Sequence, residues 1–416
     1  SVTAESTFSD TSTRPKTLTQ LTAPLRHGCT VISPTLGVVP MPADGFAKRA
    51  IEHAPGVYLD LPMDEYVRDP ALSGSAFKKL LSDPAALWWE SDQNPLFLRP
   101  ERRSDRARLR GSAAHCMVLE GAEAYAARYT VKPEGVMTTA ADLKRWLGAK
   151  RLAMIEASAD SKLCKEDRDA VKQTGEFEEL CQRVLALDPK APIWTLEEDV
   201  ETLHPADDQY VRLIDRFVRS DPTFYPLITG GLPEISIFWT EDDLRFKARI
   251  DYLTPHTILD LKTYGRAPRR GNDLKRHCLF EATFNGYDIQ ARHNANAVAA
   301  LEAHALDLFG TRSVKQFDAV NGFLARVMVG RPVFRWLFMR MGGAPTGISI
   351  PFRASCGQWA EAQRQIDEAC AIYRAFRAKF PNGEPWLVTH GEQEVEDIDW
   401  PYAAIGAGAE IEGDEA

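Results

Sequence analysis

Two aspartates and one lysine hold the spacing most suggestive of chemistry in this chain. The run Arg249-Ile250-Asp251 is followed, after eight residues, by Asp260-Leu261-Lys262-Thr263. Residues two apart on a strand share a face, so Asp260 and Lys262 should project together. Asp251 closes the preceding strand, and a short hairpin can bring its carboxylate beside Asp260. Two facing carboxylates repel unless a cation sits between them. Hard oxygen ligands of this kind suit Mg2+, with Mn2+ as a second option. A neighbouring lysine can orient or deprotonate an attacking water and stabilise charge on a phosphate. Metal-assisted hydrolysis of a phosphodiester needs these groups. The bland alternative is a surface hairpin carrying an ordinary Asp260–Lys262 ion pair. Against it, both residues interrupt the apolar run Ile258, Leu259, Leu261, and charges within a buried strand are seldom ornamental.

The elements that must position these groups follow from the hydrophobic periodicity. Ile235, Ile237 and Trp239 alternate with Ser236 and Phe238, and Glu241-Asp242-Asp243 suits a hairpin turn. Leu244, Phe246, Ala248 and Ile250 then alternate with Arg245, Lys247, Arg249 and Asp251, and a third strand covers Thr257 to Thr263. Period-two runs separated by short turns predict a three-stranded meander. A single long helix is expected next, with Phe280, Phe284, Tyr287, Ala291, Asn294, Val298 and Leu301 on one face. Tyr287 and Gln290, three apart, share a side of it. Upstream, Ser73 or Ser75 can cap a helix that Asp83-Pro84 ends, and another helix starts near Gly111. Residues 332–340 and 346–352 read as two more strands, before a final amphipathic helix carrying Trp359, Ala362, Ile366, Ala369, Tyr373 and Phe376. The order implies an α/β (α+β) body with a central mixed β-sheet flanked by helices.

The body is expected over residues 49–390, with a helical insert at 138–199. Residues 1–48, rich in Ser, Thr and Pro, read as a flexible arm. Residues 391–416 read as an acidic tail. Nine of the 59 acidic residues lie between Glu392 and Glu415, where no Lys or Arg occurs, so the remainder balances the 50 basic residues. Two stretches are basic: Arg99, Arg102, Arg103, Arg106, Arg108 and Arg110, and then Lys262, Arg266, Arg269, Arg270, Lys275 and Arg276. Basic runs are commonly just solvated surface, but each of these borders a candidate site residue and so is placed to follow a phosphate backbone. Seven scattered cysteines without a C-x-x-C pair argue against a disulfide framework or zinc cluster. Without a membrane-length apolar run or an export signal, the cytoplasm is the expected location and a membrane partner is not expected. The phosphate loop, the G-x-S-x-G elbow and H-E-x-x-H are absent.

Four motifs in order resemble the RecE exonucleases (exonuclease VIII family) of the PD-(D/E)XK nuclease superfamily. They are Gly111-Ser112-Ala113-Ala114-His115 with Leu119-Glu120-Gly121; Pro233-Glu234-Ile235; Arg249-Ile250-Asp251 with Asp260-Leu261-Lys262-Thr263; and Tyr287-Asp288-Ile289-Gln290. The resemblance spans roughly residues 57–381 apart from the insert. It departs at Ile250, where the family often has proline. It implies a PD-(D/E)XK nuclease core in which His115, Asp251, Asp260 and the Leu261 carbonyl hold the metal and Lys262 aligns the attacking water. It also implies that Glu234 holds a second metal or a metal-bound water, and that Tyr287 and Gln290 lie beside the site. Ser112, Arg108, Arg110, Arg266, Arg269 and Arg270 are the DNA-contact candidates. The implied activity is degradation of one strand from a double-stranded DNA end, by a homo-oligomer working with a single-strand annealing protein in recombination or repair. A related endonuclease, or an inactive DNA-binding or assembly module on the same fold, stays open. The insert is similar to a SAP-like DNA-binding motif, a helical spacer being the other reading.

Overall fold

The computed structural model describes residues 51–388, apart from 95–96, 98–105, 132, 134, 159, 194–199, 266–267, 269–272, 305, 312 and 382–383. The predicted N-terminal arm and acidic tail lie outside the described residues. One compact unit spans Phe46–Ala375. The other comprises the two chain ends, and of it the described part includes Phe376, whose ring lies 5.0 Å from that of Trp386.

The strands are β1 (Gly56–Tyr58), β2 (Tyr129–Val131), β3 (Glu201–Leu203), β4 (Leu232–Glu241), β5 (Leu244–Leu253), β6 (Thr257–Tyr264), β7 (Asp307–Phe309), β8 (Val333–Arg340) and β9 (Gly347–Phe352). Seven of them form a mixed sheet in the order β7-β1-β4-β5-β6-β8-β9. The β4-β5-β6 meander sits at its centre, antiparallel throughout, and β8 joins β6 in parallel. Helices flank this sheet, so the expected α/β architecture with a central mixed sheet holds. On one face Ala113, Ala114, Val211 and Ile214 pack onto Leu259, Leu261, Leu337 and Met339. The Tyr287–His304 helix crosses β4, β5 and β6. Among the described residues, no helix is long and apolar enough to cross a membrane.

The helix expected to run unbroken from Phe280 to Leu301 is two helices, Leu274–Phe284 and Tyr287–His304. Asn285-Gly286 breaks it, with Gly286 at φ +61°. A Cβ at that position would lie 2.6 Å from Lys78 Cδ. Glycine suits both the left-handed turn and the close approach. The break leaves Phe280 and Phe284 exposed rather than on the core stripe. Ser73 is the residue that caps the Gly74–Ser82 helix.

Between β2 and β3 the chain forms the Ala140–Ala157, Lys165–Ala170 and Phe177–Leu187 helices. Their apolar residues gather into a separate cluster of Met137, Leu143, Leu147, Leu180, Val184 and Ala191. The parallel pairing of β2 with β3 and the bridge Met137↔Ile193 close the base of this excursion. A segment with its own core should open as its own cooperative unit. Leu143→Ala should therefore lower the exchange protection of the Phe177–Leu187 helix amides by about 2–5 kcal/mol. Protection along β5 should not change, as read by native-state hydrogen exchange.

Candidate metal and active-site cleft

Register places the acidic groups in one row. The pairs Pro233↔Tyr252 and Ile235↔Ile250 put Glu234 opposite Asp251. The pair Tyr252↔Leu259, continued by one residue, puts Asp251 opposite Asp260. Directly opposite residues of antiparallel strands share a face, and like charges there are destabilising. The next row up the sheet is Ser236, Arg249 and Lys262, so a basic row abuts the acidic one. Pairing between β5 and β6 stops at Tyr252↔Leu259. There the Leu261 N–H donates to Asp251 Oδ2 at 3.0 Å, a side chain taking the place of the ladder partner. Leu261 thus serves Asp251 through its amide.

His115 enters from the Arg106–His115 helix. Small residues let that helix lie close to β6: Ala113 and Ala114 are buried, and a Cβ on Gly111 would stand 3.0 Å from Thr263 Oγ1. The imidazole sits between two carboxylates, with Nε2 3.0 Å from Asp251 Oδ2 and Nδ1 3.5 Å from Glu234 Oε1. Glu234 is held at φ +51°, a left-handed conformation that costs a non-glycine residue about 1–2 kcal/mol. Arg249 Nε, 3.8 Å from Glu234 Oε2, balances it from the other side.

Lys262, Asp260 and Gln290 close a triangle. Lys262 Nζ donates to Asp260 Oδ1 at 2.8 Å and to Gln290 Oε1 at 3.3 Å, while Gln290 Nε2 donates to Asp260 Oδ1 at 3.3 Å. Lys262 Nζ also lies 4.6 Å from the centre of the Tyr287 ring. Close helix packing positions Gln290, since a Cβ on Gly74 would fall 3.3 Å from its Cα. The other Asp260 oxygen, Oδ2, is buried with no hydrogen-bond donor among the described residues, on a residue only 1% exposed.

Titration follows from this arrangement. Burial lifts Glu234 to about 7, with His115 opposing. Burial lifts Asp260 to about 6 against the pull of Lys262. Burial opposes charging of His115, but Asp251 and Glu234 outweigh it and raise the ring to about 9. Asp251 is buried too, yet His115 and Lys262 draw it below the usual carboxylate range. Burial likewise works against the Lys262 ammonium, and Asp260 and Asp251 overcome it, so its pKa is raised.

Glu234 and Asp251 of this row open into a cleft of about 960 Å³, while Asp260 is buried behind its wall. His115, Glu234, Asp251, Leu261, Lys262, Tyr287 and Gln290 line it, together with Arg108 and Ser112. Arg110 turns away: its Nη1 lies 3.4 Å from Asp207 Oδ1, on the Pro205–Ser220 helix, and its guanidinium 5.9 Å from the Tyr210 ring centre. A buried carboxylate exerts a stronger pull on it than open solvent. Arg266, Arg269 and Arg270 lie outside the described residues.

Glu120, although quoted in the sequence motif, was not singled out for chemistry. It comes within reach of His115 and Glu234, each offering a ligand atom within 4.8 Å of the others. Residues five apart do not share a face of an α-helix. Cys116–Glu120, however, is a π-helical turn in which the Gly121 N–H donates to the Cys116 carbonyl at 3.1 Å. That wider turn brings positions 115 and 120 to one side, and such turns are frequent at functional sites. Arg128 holds the Glu120 carboxylate through two hydrogen bonds of 2.7 and 2.6 Å. The cleft also gathers Ser73, Ser75, Lys78 and Asn294, residues that no motif marked as polar site groups.

No family model matches this sequence, and no curated protein matches it. Among solved structures, the chain is similar to a protein from Eubacterium rectale named "Putative exonuclease". The two are 14% identical, with a TM-score of 0.38, over 85% of this chain and 100% of that one.

The shifts set how the metal-free protein responds to pH. Folding holds protons on Glu234 and Asp260 above the ordinary carboxylate range, so the folded state binds more protons than the unfolded one and stability falls as pH rises. The raised His115 acts in the same direction: its contribution is complete below its ordinary pKa and lost as pH rises through about 9. Asp251 stabilises above the ordinary carboxylate range and loses that contribution only toward acid. In EDTA, thermal unfolding should therefore move to lower temperature between pH 5 and pH 9. Glu234→Gln should flatten that slope; an unaltered slope in the variant would remove Glu234 as a cause.

Proposed function

We propose that this protein is a Mg2+-dependent DNA nuclease of the PD-(D/E)XK type, acting as an exonuclease on double-stranded ends. One observation carries the reading: the buried Asp260 oxygen that lacks a donor among the described residues, in a row of carboxylates whose Glu234 and Asp251 line an open cleft together with Lys262. A buried charged oxygen left without a partner is expensive, and a cation is the partner that a donor-free oxygen beside a second carboxylate fits. The donor set suits the ion, since carboxylate oxygens match Mg2+ or Mn2+ and an imidazole is compatible with the latter. Asp251 and Asp260 would hold it, with His115 joining and the Leu261 carbonyl as a further ligand. When bound, the ion supplies an activated water and neutralises charge on the phosphate.

The protein groups divide the remaining work. Lys262, its pKa raised by the two aspartates, acts as a cation. It is placed to orient the attacking water and to stabilise developing phosphate charge. Gln290 holds that ammonium and Asp260 together. Arg249 and Arg128 hold the Glu234 and Glu120 carboxylates in place beside His115. The Ser73-capped start of the Gly74–Ser82 helix, with Lys78, presents donors to a phosphate in the cleft. The annealing-protein partner and the homo-oligomer belong to the same proposal through the family resemblance, and a cytoplasmic location is proposed with them.

Digestion of linear and closed-circular duplex DNA tests the reading. With Mg2+ the linear form should be lost and the circle retained, and EDTA should stop the loss. Lys262→Ala and Asp260→Ala should each lower the rate by about 10²-fold or more, with the folded state verified by circular dichroism. Cutting of the circle would favour an endonuclease, and near-normal cleavage by either variant would discard the assignment of that residue. A DNA-binding module would bind both substrates and cut neither.

A further inference from the structure

The break at Asn285-Gly286 leaves an aromatic stripe beside the cleft. On the Leu274–Phe284 helix, Cys278 and Ala282 face the protein. Phe280 is 56% exposed and Phe284 90%. Arg276, Phe280 and Phe284 follow one another at intervals of four, so they run along one side of the helix. The Arg276 guanidinium lies 5.6 Å from the centre of the Phe280 ring. Lys275, next to it, is exposed as well. The acidic group on this helix, Glu281, accepts from Asn285 Nδ2 at 3.4 Å.

The stripe is continuous with the candidate site. Asn285 follows Phe284 directly, and its carbonyl accepts from Lys78 Nζ at 2.9 Å. Lys78 lines the cleft. Two residues further on, Tyr287 packs its ring against Lys262. Along the chain, then, the stripe from Arg276 through Phe280 and Phe284 ends at Asn285, which Lys78 ties to the cleft.

We propose that Phe280 and Phe284 form a stacking platform for an unpaired nucleic-acid strand at the mouth of the cleft. The proposal rests on the nuclease reading of that cleft. Every base offers a flat face, so aromatic rings hold single strands with little sequence preference, and nearby cations balance the phosphates. Bases inside a duplex are already stacked on one another and cannot use such rings. The platform therefore engages a frayed end or overhang, which gives the cleft a structural reason to act at ends. Basic residues at both ends of the stripe favour a polyanion over an apolar protein segment.

Fluorescence anisotropy of the whole chain in EDTA, where cleavage is blocked, tests this. The probes are a labelled oligothymidylate and an abasic oligomer of equal length. Phe280→Ala/Phe284→Ala should weaken thymidylate binding by about tenfold or more and leave abasic binding unchanged. Arg276→Gln should lower the slope of log affinity against log salt by about 0.7 for either probe. Thymidylate affinity unchanged in the double variant would overturn the platform while leaving the cleft reading intact. A changed mass in sedimentation would also overturn it, by showing the stripe to be a contact between copies of the chain. Failure of the wild type to bind thymidylate, abasic oligomer or duplex would overturn the platform and the nuclease reading together.

Discussion

A row of three carboxylates runs across the centre of the sheet, and much of the surrounding structure compensates for it. Antiparallel register sets Glu234, Asp251 and Asp260 side by side on neighbouring strands, where their mutual repulsion is strengthened by burial. Positive charge arrives from three side chains. His115 comes from a helix and stands between Asp251 and Glu234. Arg249 and Lys262 come from the next row of the same sheet. Even so, no donor among the described residues reaches one oxygen of Asp260.

Holding that row demands close packing around it. Gly111 lets the His115 helix approach β6, and Gly74 lets a second helix approach Gln290. Each contact spends side-chain volume to gain placement. The arginine partners need support too: Arg249 donates to Ser236 Oγ and to the Leu61 carbonyl, and its guanidinium lies 4.9 Å from the Tyr66 ring centre. Lys247, one step along β5, spends its charge on the Tyr66 and Asp69 carbonyls, tying the Met63–Arg68 helix to the sheet. Cations on β5 thus have distinct duties according to their distance from the acidic row. Lys247 is structural, and Arg249 serves the cleft.

Much of this was legible beforehand. Alternation along β4, β5 and β6 shows in the residue types, because strand periodicity is local. The pairing of Asp251 with Asp260 follows from the short β5–β6 turn alone. Lys262 and Gln290 were placed beside Asp260 by periodicity and resemblance together, and their hydrogen bonds agree with that placement. The break at Asn285-Gly286 carried a local signal in its glycine, but a hydrophobic stripe that continued through Phe280 and Phe284 masked it.

The sequence by itself determined the elements, the acidic row and its adjacent lysine, since strand period and turn length act over a few residues. Tertiary structure decided which cations answer that row. Arg110 lies on the same helix as His115 yet spends its charge on Asp207, a hundred residues away, because that helix packs against the Pro205–Ser220 helix. Glu120 joins His115 only because the turn between them widens to π geometry. Asn294 reads as one more member of a helical stripe until the packing around it places it in the wall of the cleft. In each case the deciding interaction joins segments remote in the chain or depends on a departure from regular helix period, and residue spacing carries neither.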